Sequence, residues 1–135
     1  MTKEEILKEY FHNDYYAEKL TGVELEEIGD GYARARLTIG PQHLNGAGIV
    51  QGGAIFTLAD LAFAAASCSS GRVAVGLSSN INYIRPGNGK YLIAEAKRVN
   101  EGKTIFHGEI EVRNDQGKLV STCTASAFRT DKQIF

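Results

Sequence analysis

Two features of the chain are suited to chemistry: a carboxylate inside an apolar segment, and a pair of glycines eight residues before it. Asp60 interrupts the run Gly52-Gly53-Ala-Ile-Phe-Thr-Leu-Ala-Asp60-Leu-Ala-Phe-Ala-Ala-Ala-Ser-Cys68. No Lys or Arg lies one helical turn away, where Phe56, Thr57, Phe63 and Ala64 stand. Unpaired burial of a carboxylate costs several kcal/mol, roughly, and raises its pKa. On position alone two readings stand, a reacting group or a buried polar group held by a backbone amide from elsewhere in the fold. At the other end, the first N–H groups of a helix lack intrahelical acceptors and carry partial positive charge. Glycine lets a ligand approach them closely, so Gly52 and Gly53 could hold a carbonyl oxygen as it gains negative charge, or simply form a tight entry turn.

Reach decides how the two features can cooperate. Eight residues of helix separate Gly52 from Asp60 by ~12 Å. A carboxylate that attacks a carbonyl, or activates water beside it, must come within ~3–3.5 Å of the reacting atom. Gly52 and Asp60 of one helix therefore cannot serve one carbonyl. Two antiparallel helices can, so a site using both features straddles two chains, and the protein is expected to be at least a C2 dimer.

The elements that must position these groups follow from the pattern. Apolar residues at helical spacing over 3–19 predict an N-terminal helical segment, with a break near Asn13-Asp14. Residues 21–39 alternate, with Ala33, Ala35, Leu37 and Ile39 on one face, and turn at Gly29-Asp30-Gly31, a hairpin. A glycine-rich loop over 40–51 enters the helix at Gly52, and the helix stops by Gly71. Strands follow at about 72–84, 91–99, 104–113 and 118–129, and the tail after Arg129 is expected to fray. The fold class is α+β, an antiparallel sheet curled over one long central helix. Because that helix is apolar on nearly every side, it is expected to be enclosed by the sheet and a second subunit.

Composition narrows the function classes. A chain of 135 residues reads as one domain, with 15 basic against 16 acidic residues and no basic stripe, so a nucleic-acid partner is disfavoured. The apolar run is too short and interrupted for a membrane span, and the charged N-terminus lacks the apolar core of a signal peptide. Cys68 and Cys123 read as reduced core thiols, which fits a cytoplasmic location. His12, His43 and His107 lack metal-ligand spacing, so no metal is expected. The serines near the helix end lack a G-x-S-x-G elbow, and Gly102-Lys103-Thr104 lacks the upstream glycine of a phosphate loop.

Taken together, Leu44-Asn45-Gly46-x-Gly48-x-x-Gln51-Gly52-Gly53, Phe56-Thr57-Leu58-Ala59-Asp60 and Asn82-Tyr83-Ile84-Arg85-Pro86-Gly87 resemble the hot-dog-fold acyl-CoA thioesterases of the phenylacetic-acid-degradation (PaaI-like) type. The likeness covers about residues 20–129. It implies an antiparallel sheet wrapped around the central helix, homodimers that share active sites and commonly pair into homotetramers, and hydrolysis of an acyl- or aryl-CoA. No cofactor is implied, coenzyme A being part of the substrate. By the same resemblance Asp60 is the nucleophile or general base, and the Gly52 amide of the other subunit polarises the carbonyl. Asn45 positions the carbonyl or water, and Gly53, at the same helix start, and Ser67 are substrate-binding residues. Tyr83, Ile84, Arg85, Pro86, Gly87 and Asn88 contact coenzyme A, with Arg85 pairing phosphate. Thr57 and Ser67 of the partner helix are expected as hydroxyls near Asp60. The family usually carries His before the two glycines, where this chain has Gln51, a group that hydrogen-bonds but does not titrate near neutrality. A non-catalytic acyl-CoA-binding or regulatory role is the alternative the Gln51 change keeps open. The positions of Phe56 and Phe63 and of the alanines at 62 and 64–66 suit aryl, branched or medium-chain acyl groups.

Overall fold

Period-two alternation of small and branched residues builds one antiparallel sheet, which the computed structural model describes over residues 1–135. Its strands are β1 (Val23–Gly29), β2 (Tyr32–Thr38), β3 (Arg72–Tyr83), β4 (Tyr91–Glu101), β5 (Ile105–Asn114) and β6 (Leu119–Gln133). They lie in the order β1-β2-β4-β5-β6-β3, every neighbouring pair antiparallel. The helices are α1 (Lys3–Phe11) and α2 (Gly52–Ser67). α2 lies in the concave side of the sheet, as the sequence pattern predicts.

The strands that face α2 present small residues to it. Ala33, Ala35 and Leu37 of β2 pair across to Ala96, Ala94 and Leu92 of β4, and all six are fully buried. Alanine at four of these positions lets the helix backbone come close to the sheet while Leu58, Leu61 and Phe63 fill the space between. On β5 the approach requires glycine: a Cβ at Gly108 would fall 2.9 Å from Cε1 of Phe63, whose ring also packs on Phe106.

The N-terminal segment is broken where Asn13-Asp14 suggests. α1 opens with a reciprocal cap, Glu5 N–H donating to Thr2 Oγ1 and Thr2 N–H donating to Glu5 Oε1. It ends at Phe11, and Asp14 then caps a separate π-helical segment, Tyr15–Thr21, by accepting the Ala17 N–H at 3.0 Å. Gly22, at φ 86°, closes that segment.

One expectation is corrected. The tail does not fray after Arg129, because β6 continues to Gln133 opposite Arg72. Arg72 donates to the carbonyls of Lys103, Arg129 and Thr130, Arg129 donates to Gly102 O and Ser70 Oγ, and the Ile134 N–H reaches Gly71 O. The single chain does not by itself enclose α2. The sheet and the N-terminal segment cover most of it, yet Gly53 and Asp60 are exposed, with Ala54, Phe56 and Ala64 half-buried between and beyond them. Gly53, Phe56, Asp60 and Ala64 follow one another at helical spacing, so they form one open strip. Residues 75–80 of β3 are exposed as well, and Leu77 keeps 58% of its surface in solvent.

Candidate active site

The start of α2 is built by its loop. A short 3₁₀ turn, Pro41–His43, brings the His43 carbonyl to the Gln51 N–H at 2.7 Å. The buried His43 ring accepts the Gly40 N–H on Nδ1 at 3.0 Å and meets the Thr21 carbonyl through Nε2 at 2.6 Å. These partners assign the ring proton to Nε2, and they tie the end of the π-helical segment to the loop. Gln51 is the N-cap: its Oε1 accepts the Gly53 N–H at 2.6 Å. The two glycine amides are thus not equivalent. Gly53 N–H is taken, whereas Gly52 N–H, at the first helical position, has no acceptor in the chain. On its other side Gly52 is held by Tyr83, whose hydroxyl donates to the Gly52 carbonyl at 3.0 Å.

Asn45 lies within reach of this helix start, and most of its hydrogen bonds shape the loop. Its Oδ1 accepts the N–H groups of Ala47 (2.9 Å) and Ile49 (3.3 Å), which leaves the side-chain NH₂ to donate to a ligand. A cleft of about 420 Å³ brings Asn45, Gly52, Tyr83, Ile84, Arg85 and Pro86 together, with Gly87 buried at its base. Arg85 is exposed there and forms no ion pair within the chain. A second cavity of about 540 Å³ lies across the first turn of α2, against Gln51, Gly53 and Thr57.

Asp60 borders neither cavity of its own chain, in keeping with the ~12 Å of helix between it and Gly52. Its side chain reaches solvent, a correction to the buried carboxylate expected from the apolar run. The protein around it still removes enough water to push its carboxyl above the ordinary carboxylate range, and the negative charge of Asp14 adds to the effect. A raised pKa makes the Asp60 carboxylate a stronger base.

Two predicted residues stand apart from the rest. Ser67 is buried and its hydroxyl donates to the Ala64 carbonyl at 2.9 Å, so it is not brought to either cavity. Asn88 is exposed beyond the cleft. Thr57 is nearly buried and donates to the Gly53 carbonyl at 2.9 Å. Sequence reasoning missed Tyr16, Leu20, Thr21 and Gln42, which border the larger cavity, and missed Asp14, whose charge is felt at Asp60. The available signal was Asp14 as a capping residue type ahead of an aromatic pair, Tyr15-Tyr16.

Comparison with known proteins places this geometry in a family. Residues 47–121 match the thioesterase superfamily. The chain is 36% identical over 120 residues to the acyl-coenzyme A thioesterase PaaI of Escherichia coli K12, covering 88% of this chain and 85% of that protein. It superposes on the structure of the E. coli PaaI protein with a TM-score of 0.87 at 30% identity, over 98% of this chain and 99% of the other. A Streptococcus mutans UA159 protein solved with bound acetyl CoA matches with a TM-score of 0.78 at 29% identity, over 82% of this chain and 90% of its own. The chain belongs to the thioesterase superfamily, as a thioester hydrolase of the PaaI-like hot-dog type.

Proposed function

We propose that the protein hydrolyses acyl-CoA thioesters at a site formed by two copies of the chain, the Gly52 amide of one and Asp60 of the other. The observation that carries this reading is the unpaired Gly52 N–H at the mouth of the cleft that also holds Arg85. Such a donor stabilises the oxyanion that develops as a thioester carbonyl is attacked. Arg85 is a free cation for a coenzyme A phosphate, and the Asn45 NH₂ is a second donor near the carbonyl. The similarity to an E. coli acyl-coenzyme A thioesterase and to an S. mutans protein bound to acetyl CoA supports the substrate class.

The second copy is supported by what one chain leaves open. β3 is an edge strand with exposed backbone and exposed Leu77, and the strip of α2 from Gly53 to Ala64 is uncovered. Unpaired edges of this kind invite strand pairing. An antiparallel partner would carry its own Asp60 toward Gly52, and further pairing of dimers gives a homotetramer.

The chemistry has two balanced forms. In one, an Asp60 oxygen attacks the carbonyl carbon, the oxyanion collapses, the C–S bond breaks to release the coenzyme A thiolate, and water hydrolyses the resulting anhydride. In the other, Asp60 takes a proton from water as the water oxygen attacks, and that proton passes to the departing sulfur. Neither form draws on a metal or organic cofactor. Gln51 fits both, because its role at the helix cap is to accept a hydrogen bond, which the unprotonated nitrogen of a histidine would do equally.

A panel of acyl- and aryl-CoA esters, with free thiol followed over time, tests the reading. Release from at least one ester, lost in Asp60→Asn with the oligomer intact, is the expected result. Tight binding of the esters with no thiol release from any would overturn it.

A further inference from the structure

The two cavities divide the first turn of α2 between them. Gly52 and Ile55 face the cleft that holds Arg85, whereas Gly53, Ala54 and Thr57 face the larger chamber. These sets lie on opposite sides of a 3.6-residue helix. A thioester whose carbonyl oxygen sits at the Gly52 N–H would therefore lie on the boundary, with a separate space on each side. The cleft side has the free cation that phosphate needs. The chamber side has none.

The outer wall of the chamber is the π-helical segment Tyr15–Thr21. Tyr16 and Leu20 border it while leaving 63% and 73% of their surfaces in solvent. Two large apolar side chains on one wall, with nothing in the chain covering them, are surface for an apolar ligand to bury. The wall is also held in place: His43 Nε2 bonds the Thr21 carbonyl, the Thr21 hydroxyl donates to the Tyr16 carbonyl at 2.9 Å, and Asp14 caps the segment's start. One hydrogen-bonded chain thus runs from Tyr16 through Thr21 and His43 to Gln51 at the helix cap.

We propose that this chamber receives the acyl group, and that Tyr16 and Leu20 set acyl preference by favouring groups with an apolar portion of several carbons or a ring over acetyl. The inference rests on the thioesterase reading for the position of the carbonyl, yet it can be tested without turnover.

S-methyl-CoA and S-hexyl-CoA are thioethers that cannot be hydrolysed. Their affinities for the full-length protein, measured by calorimetry for wild type, Tyr16→Ala, Leu20→Ala and the control Tyr15→Ala, test it. Tyr15 is exposed and does not border the chamber. Wild type is expected to prefer S-hexyl-CoA at least tenfold. Tyr16→Ala and Leu20→Ala are each expected to reduce that preference about five- to tenfold with the circular dichroism spectrum unchanged, and Tyr15→Ala less than twofold. A preference unchanged within twofold in both wall variants overturns the inference. So does an altered oligomeric state in those variants without altered preference, because the wall would then be covered by a second copy of the chain. Loss of preference in the wall variants together with no thiol release from any ester would sustain the acyl chamber while removing hydrolysis.

Discussion

The Tyr83 hydroxyl donates to the carbonyl of Gly52, joining the end of β3 to the first turn of α2 at 3.0 Å. The same ring limits what can stand at Gly52, since a Cβ there would lie 3.2 Å from Tyr83 Cζ and 3.2 Å from its oxygen. Tyr83→Phe should cost little stability, about 0.5–1.5 kcal/mol, and lower kcat/KM several-fold as the helix start loosens. Gly52→Ala should lower kcat/KM further by displacing the amide. Combined with Tyr83→Phe, Gly52→Ala should cost less stability than it does alone, because the crowding oxygen is gone. Denaturant unfolding of the four proteins in the cycle checks this, and additive losses would refute the contact.

Gln51→Glu should separate stability from activity. A carboxylate at the N-cap accepts the Gly53 N–H as the glutamine does and interacts favourably with the positive end of α2. It also places negative charge where the oxyanion would form. The melting temperature should rise while kcat falls by a factor of ten or more. Gln51→Ala should instead destabilise the fold by about 1 kcal/mol. Calorimetry and thiol release on the same samples read both effects.

In the proposed mechanism Asp60 governs the acid side of the pH profile. Its folded pKa lies above the ordinary value through desolvation and then the Asp14 charge, so the active carboxylate is lost at a higher pH than for a free aspartate. Asp14→Asn should move that limb to lower pH. The sign for stability is the reverse of the usual carboxylate case. A raised folded pKa means that the folded state binds the proton more tightly, so the ionised group destabilises the fold above that pKa, and stability returns as pH falls through it. Asp60→Asn should therefore raise the melting temperature of the single chain's fold at neutral pH, with the gain shrinking on acidification. Melting curves across the acid range decide it.

Arg129 offers a stability test remote from the proposed chemistry. It is almost buried, pairs with Glu101 at 3.2 Å, and donates to Gly102 O and Ser70 Oγ. Arg129→Ala removes the donor to the Gly102 carbonyl and the Ser70 hydroxyl and leaves Glu101 with Arg98 alone, and should cost about 2 kcal/mol. Residual folded protein should keep its acyl-CoA affinity, which ligand titration at low temperature would show.

Local pattern carried much of this architecture. Alternation in Ala33, Ala35 and Leu37 and the Asp30-Gly31 turn foretell the first hairpin, and the rise of a helix is enough to keep Gly52 and Asp60 of one chain apart. The end of β6 was not legible, since the groups that fix it, Arg72 and Gly71, come from about sixty residues earlier in the chain. Asp60 is more open than the apolar composition of α2 suggests, because one strip of the helix is only partly covered by its own chain. Ser67, two turns beyond Asp60, satisfies its hydroxyl on its own helix, a choice the residue type does not announce. The chamber wall was hidden for a related reason: Tyr16 and Leu20 are set in place by His43 and Asp14, not by periodicity.

The strand order has a consequence for synthesis. β3 is made before β4 and β5, yet its only neighbour within the chain is β6, the last strand of the sheet to be made. A ribosome-bound chain that lacks β6 holds twelve residues of β3 with both flanks unsatisfied. Assembly through that strand must await β6, and truncation before Leu119 should leave a product prone to indiscriminate association.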